Sequence, residues 1–177
     1  LDDIMKSNMS DLIFRGDEDK LSQTKNSQPS IMATSIAIFQ ALKSENLLLN
    51  DQYDCVAGHS LGEYSALVAN ESLSFQDAVR LLKVRSRAMQ ESMPLGTGGM
   101  VALIGVSNDD ILNCINYASN HGKIFVANDN APSQVVLSGE INSINYILNN
   151  YKDLKIKRAI KLPVSAPFHC DLMNSAK

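Results

Sequence analysis

Cys55-Val56-Ala57-Gly58-His59-Ser60-Leu61-Gly62-Glu63-Tyr64-Ser65-Ala66-Leu67 is the stretch that decides the fold class. Residues 55–58 form a short run of small and β-branched apolar residues, the pattern of a strand buried on both faces in a parallel sheet. A helix over 61–69 follows at once. Between the two, Gly58-His59-Ser60-Leu61-Gly62 matches G-x-S-x-G in the strand-turn-helix setting that gives the pattern its chemical meaning. The two glycines allow a turn so sharp that Ser60 is held in a strained conformation with its hydroxyl exposed near the helix N-terminus. The amide of Leu61 then points to the same place and supplies one oxyanion donor.

Working outward, Ile31, Met32, Ser35, Ile38, Phe39 and Leu42 recur at helical spacing, which predicts a helix over 29–43 with Pro29 in its first turn. Residues 51–54 are turn formers. Downstream, Ser74 with Asp77 three positions on reads as a capping box. The helix it opens runs to about Met93, with Phe75, Ala78, Val79, Leu82 and Met89 inward and Arg80, Lys83 and Arg87 outward. Pro94-Leu95-Gly96-Thr97-Gly98-Gly99 interrupts every regular pattern and marks a lobe boundary.

Beyond it the rhythm is strand 100–104, helix 108–120 capped by Ser107, strand 123–128, turn 129–133, strand 134–138, helix 141–151 and strand 158–162. That β-α-β-β-α-β order is the connectivity of a ferredoxin-like lobe. Residues 163–167 return the chain to the first lobe. The expected fold class is therefore α/β: an α/β-hydrolase-like parallel-sheet core, incomplete, from residues 1–95 and 165–177, with a ferredoxin-like lobe, 96–164, inserted. This arrangement sets residues near 60 and near 169 on either side of one cleft.

Composition narrows the classes of function. With 45% hydrophobic residues the 177-residue chain has ample material for a core. A net charge of −3 gives no general reason to bind nucleic acid, whose phosphates attract surfaces dense in Lys and Arg. No apolar run reaches bilayer length and no basic-then-apolar leader opens the chain, so a membrane location is not expected. Cys55, Cys114 and Cys170 are an odd number without C-x-x-C spacing, which suggests neither a disulfide framework nor a zinc site and fits a reducing cytoplasm. Because it starts at Leu1 and stops in what reads as an opening helix, the chain is expected to be a piece of something longer.

A serine hydroxyl needs a base, and the chain has three histidines. His59 adjoins Ser60 and cannot readily fold back onto its hydroxyl, so it lines the pocket or packs locally. His121 precedes Gly122 at a helix end and reads as a cap. His169, in the irregular Pro163-Val164-Ser165-Ala166-Pro167-Phe168-His169-Cys170, is the remaining candidate for general base and then general acid.

The sequence here resembles the malonyl-CoA:acyl carrier protein transacylases and, more distantly, the acyltransferase domains of polyketide synthases. Four segments carry the resemblance: 58–67, G-H-S-L-G-E-Y-S-A-L; 94–100, P-L-G-T-G-G-M; 128–139, N-D-N-A-P-S-Q-V-V-L-S-G; and 162–173, L-P-V-S-A-P-F-H-C-D-L-M. It implies a ping-pong reaction in which Ser60 takes a malonyl group from coenzyme A and yields it to the phosphopantetheine thiol of acyl carrier protein, with no cofactor or metal. It also implies that Arg85 clamps the malonyl carboxylate, a task suited to a guanidinium's two parallel N–H bonds. Leu61 and Phe168 fit the malonyl rather than the methylmalonyl pattern of the related domains. The family's N-terminal Gln motif, which gives the second oxyanion donor, and its later strand supporting the histidine have no counterpart in these residues.

An acidic carrier protein calls for a local basic surface, and Lys155, Lys157, Arg158 and Lys161 form one candidate cluster, Arg80, Lys83 and Arg87 another. Two other classes compete. A serine esterase would share the elbow but need an acid between Ser60 and His169, where Asp129 is the residue so placed. A non-catalytic binding module would keep the fold and dispense with Ser60, Arg85 or His169, all of which are present.

Overall fold

Residues 1–47, 53–164 and 166–177 are described by the computed structural model of the chain. They pack as two compact units, Leu1–Arg87 and Ala88–Lys177. Helices make the first: α1 (Asp2–Met5), α2 (Met9–Arg15), α3 (Glu18–Ser22), α4 (Thr24–Ser44), α5 (Gly62–Ala69) and α6 (Phe75–Glu91), the last running on into the second unit. Met32 and Ile36 of α4, Val68 of α5, and Ala78, Val79 and Leu82 of α6 close its core. The capping box at the start of α6 is present: the Ser74 hydroxyl accepts from the Asp77 N–H at 3.1 Å and donates to the Asp77 carboxylate at 2.8 Å. That bond, with the Arg80 guanidinium, holds the Asp77 carboxyl below its ordinary range.

Three expectations in this unit are corrected. Helix α4 begins at Thr24, not at Pro29, which lies inside it. The polar run 24–28 hides this start, because its side chains are satisfied within the fold: Asn26 Nδ2 donates to the Lys20 carbonyl at 2.8 Å and Gln28 Nε2 to Thr24 Oγ1 at 2.7 Å. The face that α4 buries carries Pro29, Met32 and Ile36, whereas Ile31, Ile38 and Leu42 are exposed, the first two along a groove of about 410 Å³. A helix with apolar residues on two faces does not reveal by periodicity which face meets the core. Residues 55–58, finally, form no strand, and Cys55 and Ala57 are exposed. A parallel strand exists only through ladder bonds to neighbours, and no described segment pairs with this one. Of the expected turn at 51–54, positions 51 and 52 lie outside the described residues.

The second unit holds a four-stranded antiparallel sheet of β1 (Gly98–Ile104), β2 (Ile124–Ala131), β3 (Gln134–Glu140) and β4 (Arg158–Lys161), in the order β2-β3-β1-β4. Helix α7 (Asn108–Ala118) joins β1 to β2 and α8 (Ile141–Asn150) joins β3 to β4, so the β-α-β-β-α-β order read from the sequence is the order observed. Ser107 caps α7 as expected, accepting from the Asp110 N–H at 3.2 Å. The turn expected at 129–133 shrinks to Pro132 and Ser133, because β2 continues through two register shifts to Ala131. These bulges break the two-residue alternation that marks a strand in sequence.

Strand β1 is buried on both faces. Val101 and Leu103 join Ile111, Cys114, Ile144 and Ile147 of the two helices in one cluster. Met100 and Ala102, alternating with them, meet Val136, Leu162, Val164 and Phe168 on the other face. The chain leaving β4 thus covers the sheet face opposite the helices. Among the described residues no helix is long and apolar enough to cross a membrane.

Candidate active site

Ser60 lies between the irregular segment 55–58 and α5, at φ 54. Left-handed backbone is costly for a residue with a Cβ, so a serine there signals a turn imposed by its surroundings. The turn is closed by the N–H groups of Gly62, Glu63 and Tyr64, which donate to the carbonyls of His59, Ser60 and Leu61 at 2.8, 3.3 and 3.1 Å. The Leu61 amide takes no part in those bonds.

The two glycines of the motif differ in role. A Cβ on Gly58 would stand 1.9 Å from the Gly62 carbonyl oxygen, so close approach of backbone to backbone demands glycine there. A Cβ on Gly62 would meet nothing within 4 Å. The strained conformation expected of Ser60 is present, and the correction concerns Gly62 alone: of the two glycines, only Gly58 is demanded by the close approach.

Arg85, from the middle of α6, reaches the same point. Its Nη2 donates to Ser60 Oγ at 3.1 Å and its Nη1 to Gln28 Oε1. The Tyr64 ring centroid lies 6.0 Å from Arg85 Cζ. Three helices thus converge on one guanidinium: α4 through Gln28, α5 through Tyr64, and α6 through its own backbone. The Ser60 oxygen accepts from Arg85, which leaves the hydroxyl proton free to be donated elsewhere.

Sequence reading missed Gln28 and Thr24, both nearly fully buried. The signal available was a polar run directly before the apolar face of a helix, read as the residues outside it. An arginine offers donors only, so Gln28 must turn its oxygen to Arg85 and its amide nitrogen to Thr24, which is the arrangement seen.

His59 is exposed, and its carbonyl is the acceptor for Gly62. His169 belongs to the second unit, exposed and at φ 58. Its segment is firmly seated there: Pro167 is fully buried, with Cδ 2.5 Å from where a Gly98 Cβ would stand, and Phe168 packs on the sheet. Cys170 Sγ donates to the Pro167 carbonyl at 3.1 Å. Asp129 sits in β2, paired with Val135. His121 ends the 3₁₀ turn Ser119–His121 and stacks on Tyr146 at 4.2 Å. Among the described residues no group of His, Cys, Asp and Glu is arranged to hold a metal ion.

Over residues 1–177 the chain matches the family described as acyl transferase domain. The chain belongs to the acyl transferase domain family. It is 39% identical over 176 residues to the malonyl CoA-acyl carrier protein transacylase of Bacillus subtilis, covering 99% of this chain and 54% of that protein. The acyl-carrier-protein S-malonyltransferase of Bartonella henselae superposes with a TM-score of 0.87 at 41% identity, over 99% of this chain and 56% of that one. A malonyl-transacylase solved in complex with a type II polyketide acyl-carrier protein gives a TM-score of 0.88 at 35% identity, over 99% and 56%. The acyl transferase domain described here spans about half the length of these relatives.

Within this acyl transferase domain the two basic clusters differ. Lys83 Nζ donates to the Ile4 and Met5 carbonyls at 3.3 and 3.2 Å, the C-terminal end of α1, and Arg80 pairs with Asp77 at 2.7 Å. Those cations are engaged in local structure. Lys155, Lys157, Arg158 and Lys161 are exposed along and just before β4, an edge strand.

Proposed function

We propose that the protein moves a malonyl group from coenzyme A to the phosphopantetheine thiol of acyl carrier protein, in fatty acid biosynthesis in the cytoplasm. The observation that carries the reading is the 3.1 Å bond from Arg85 to Ser60 Oγ on a left-handed turn. A serine nucleophile for a plain acyl group has no use for a cation at that distance. One for an acyl group ending in a carboxylate does, because the guanidinium can take the carboxylate through two charge-assisted hydrogen bonds. In a malonyl ester that carboxylate stands two carbons beyond the atom bonded to Oγ, within the same neighbourhood.

In the first half-reaction His169 takes the Ser60 proton as the oxygen bonds to the thioester carbon. The carbon-sulfur bond breaks and the coenzyme A thiolate leaves with the proton from the imidazolium. In the second, His169 takes the proton of the carrier's thiol as sulfur bonds to the same carbon, the carbon-Oγ ester bond breaks, and the proton passes from the imidazolium to the departing Ser60 oxygen. The Leu61 amide stabilises the oxyanion in both halves, and His59 lines the pocket. No cofactor enters. The exposed cations from Lys155 to Lys161 offer an acidic carrier protein a docking surface.

In this reading residues 96–164 are a ferredoxin-like lobe inserted into an α/β-hydrolase-like core to which 1–95 and 165–177 contribute. The strand order β2-β3-β1-β4 supports the lobe, and the serine elbow with relatives nearly twice as long supports the core.

The test is to incubate the complete protein with malonyl-CoA, digest it, and look for a malonyl adduct on the Ser60 peptide and its passage to carrier protein. Ser60→Ala and His169→Ala are expected to abolish the adduct. Release of free malonate without transfer favours the esterase, which the position of Asp129 in β2 does not, and no adduct at all favours a binding module.

A further inference from the structure

Arg85 is a long side chain with several rotatable bonds, and an unanchored guanidinium would give up much of its binding energy in being ordered. Its anchor is Gln28. The amide of Gln28 is 4% exposed and held at both ends, its oxygen by Arg85 Nη1 and its nitrogen by Thr24 Oγ1 at 2.7 Å. Thr24 is itself 3% exposed and lies one helical turn before Gln28 on α4. This is a rigid, neutral bracket.

Its neutrality matters. Among the described residues no carboxylate pairs with Arg85, whereas Arg80 has Asp77 and Lys43 has Glu71. A glutamate at position 28 would fit the same volume and accept the same bond, yet it would satisfy the charge that an incoming carboxylate must find unsatisfied. We propose that Gln28, backed by Thr24, is a positioning residue that sets acyl-group specificity: it orients Arg85 while leaving its charge available to an acyl carboxylate. This rests on the reading of Arg85 given above. Gln28 acts through Arg85 and touches no reacting atom.

The test measures acylation of the complete protein by malonyl-CoA and by acetyl-CoA, which share every group except the carboxylate. Gln28→Glu is expected to lower kcat/KM for malonyl-CoA about 100-fold and to leave that for acetyl-CoA within about 3-fold, the scale of one charge-assisted interaction. Gln28→Leu, which frees the guanidinium without neutralising it, is expected to raise KM for malonyl-CoA about 10-fold with a smaller change in kcat. Should either variant fail to fold, Thr24→Val, which removes one acceptor and keeps the shape, is expected to lower the malonyl-to-acetyl ratio several-fold, and Thr24→Ser to restore it.

Parallel losses with both substrates, or an unchanged ratio in all the variants, overturn the proposal while leaving malonyl transfer intact. Failure of the unsubstituted protein to prefer malonyl-CoA over acetyl-CoA overturns this proposal and the reading of Arg85 together.

Discussion

Replacing Ser60 by glycine and by alanine separates the chemistry of the elbow from its strain. Both variants lose the nucleophile, and both lose the bond from Arg85 Nη2 at 3.1 Å, so these effects cancel between them. What differs is the Cβ at φ 54. Holding a Cβ in left-handed backbone costs about 1–2 kcal/mol. Glycine escapes this but loses about 0.5–1 kcal/mol to the greater freedom of its unfolded chain. The balance predicts that Ser60→Gly is more stable than Ser60→Ala by about 0.5–1 kcal/mol, a difference in Tm on the order of 2 °C. Urea denaturation of the two inactive variants side by side measures it. Equal stability, or an advantage for alanine, would refute the claim that the turn rather than the side chain dictates the backbone at Ser60. Gly58→Ala supplies the converse: with the Gly62 carbonyl 1.9 Å from the new methyl, a loss of about 3 kcal/mol or more is expected.

Leu82 of α6 is fully buried among Met32, Val68 and Val79, so Leu82→Ala is expected to cost about 2–5 kcal/mol by denaturant melt. Lys83→Met removes two bonds to the last carbonyls of α1 and should cost about 0.5–1.5 kcal/mol. Hydrogen exchange then rises selectively in residues 1–7. Burial pushes the Cys114 thiol up to about 11, so in native protein at pH 8 iodoacetamide should label exposed Cys55 and spare Cys114. Since the folded value lies above the ordinary one of 9.0, the unfolded chain ionises first. Stability is therefore expected to fall as pH rises from 9 toward 11, and Cys114→Ala to flatten that decline.

Much of the second unit was legible because its signals are local. Ser107 before an amphipathic run, the continuous apolar runs at 100–104 and 135–137, and the break at 94–99 each depend on residues within a turn or two of one another. The misreadings arose where a segment's state is set by a distant partner. Residues 55–58 have the composition of a buried strand, but a strand is a relation between segments, and no described segment supplies the ladder. Helix α4 carries two apolar stripes, and only the packing of α5 and α6 selects the one bearing Met32 and Ile36.

By itself the sequence determined the turn at 58–62, because G-x-S-x-G confines its chemistry to five adjacent residues, and it determined the β-α-β-β-α-β order through hydrophobic period and caps. The bracket from Thr24 through Gln28 and Arg85 to Ser60 was decided by tertiary structure alone. Hydrogen bonds between side chains 57 and 25 positions apart leave no periodic trace, since what selects them is the convergence of three helix faces in space rather than any spacing along the chain.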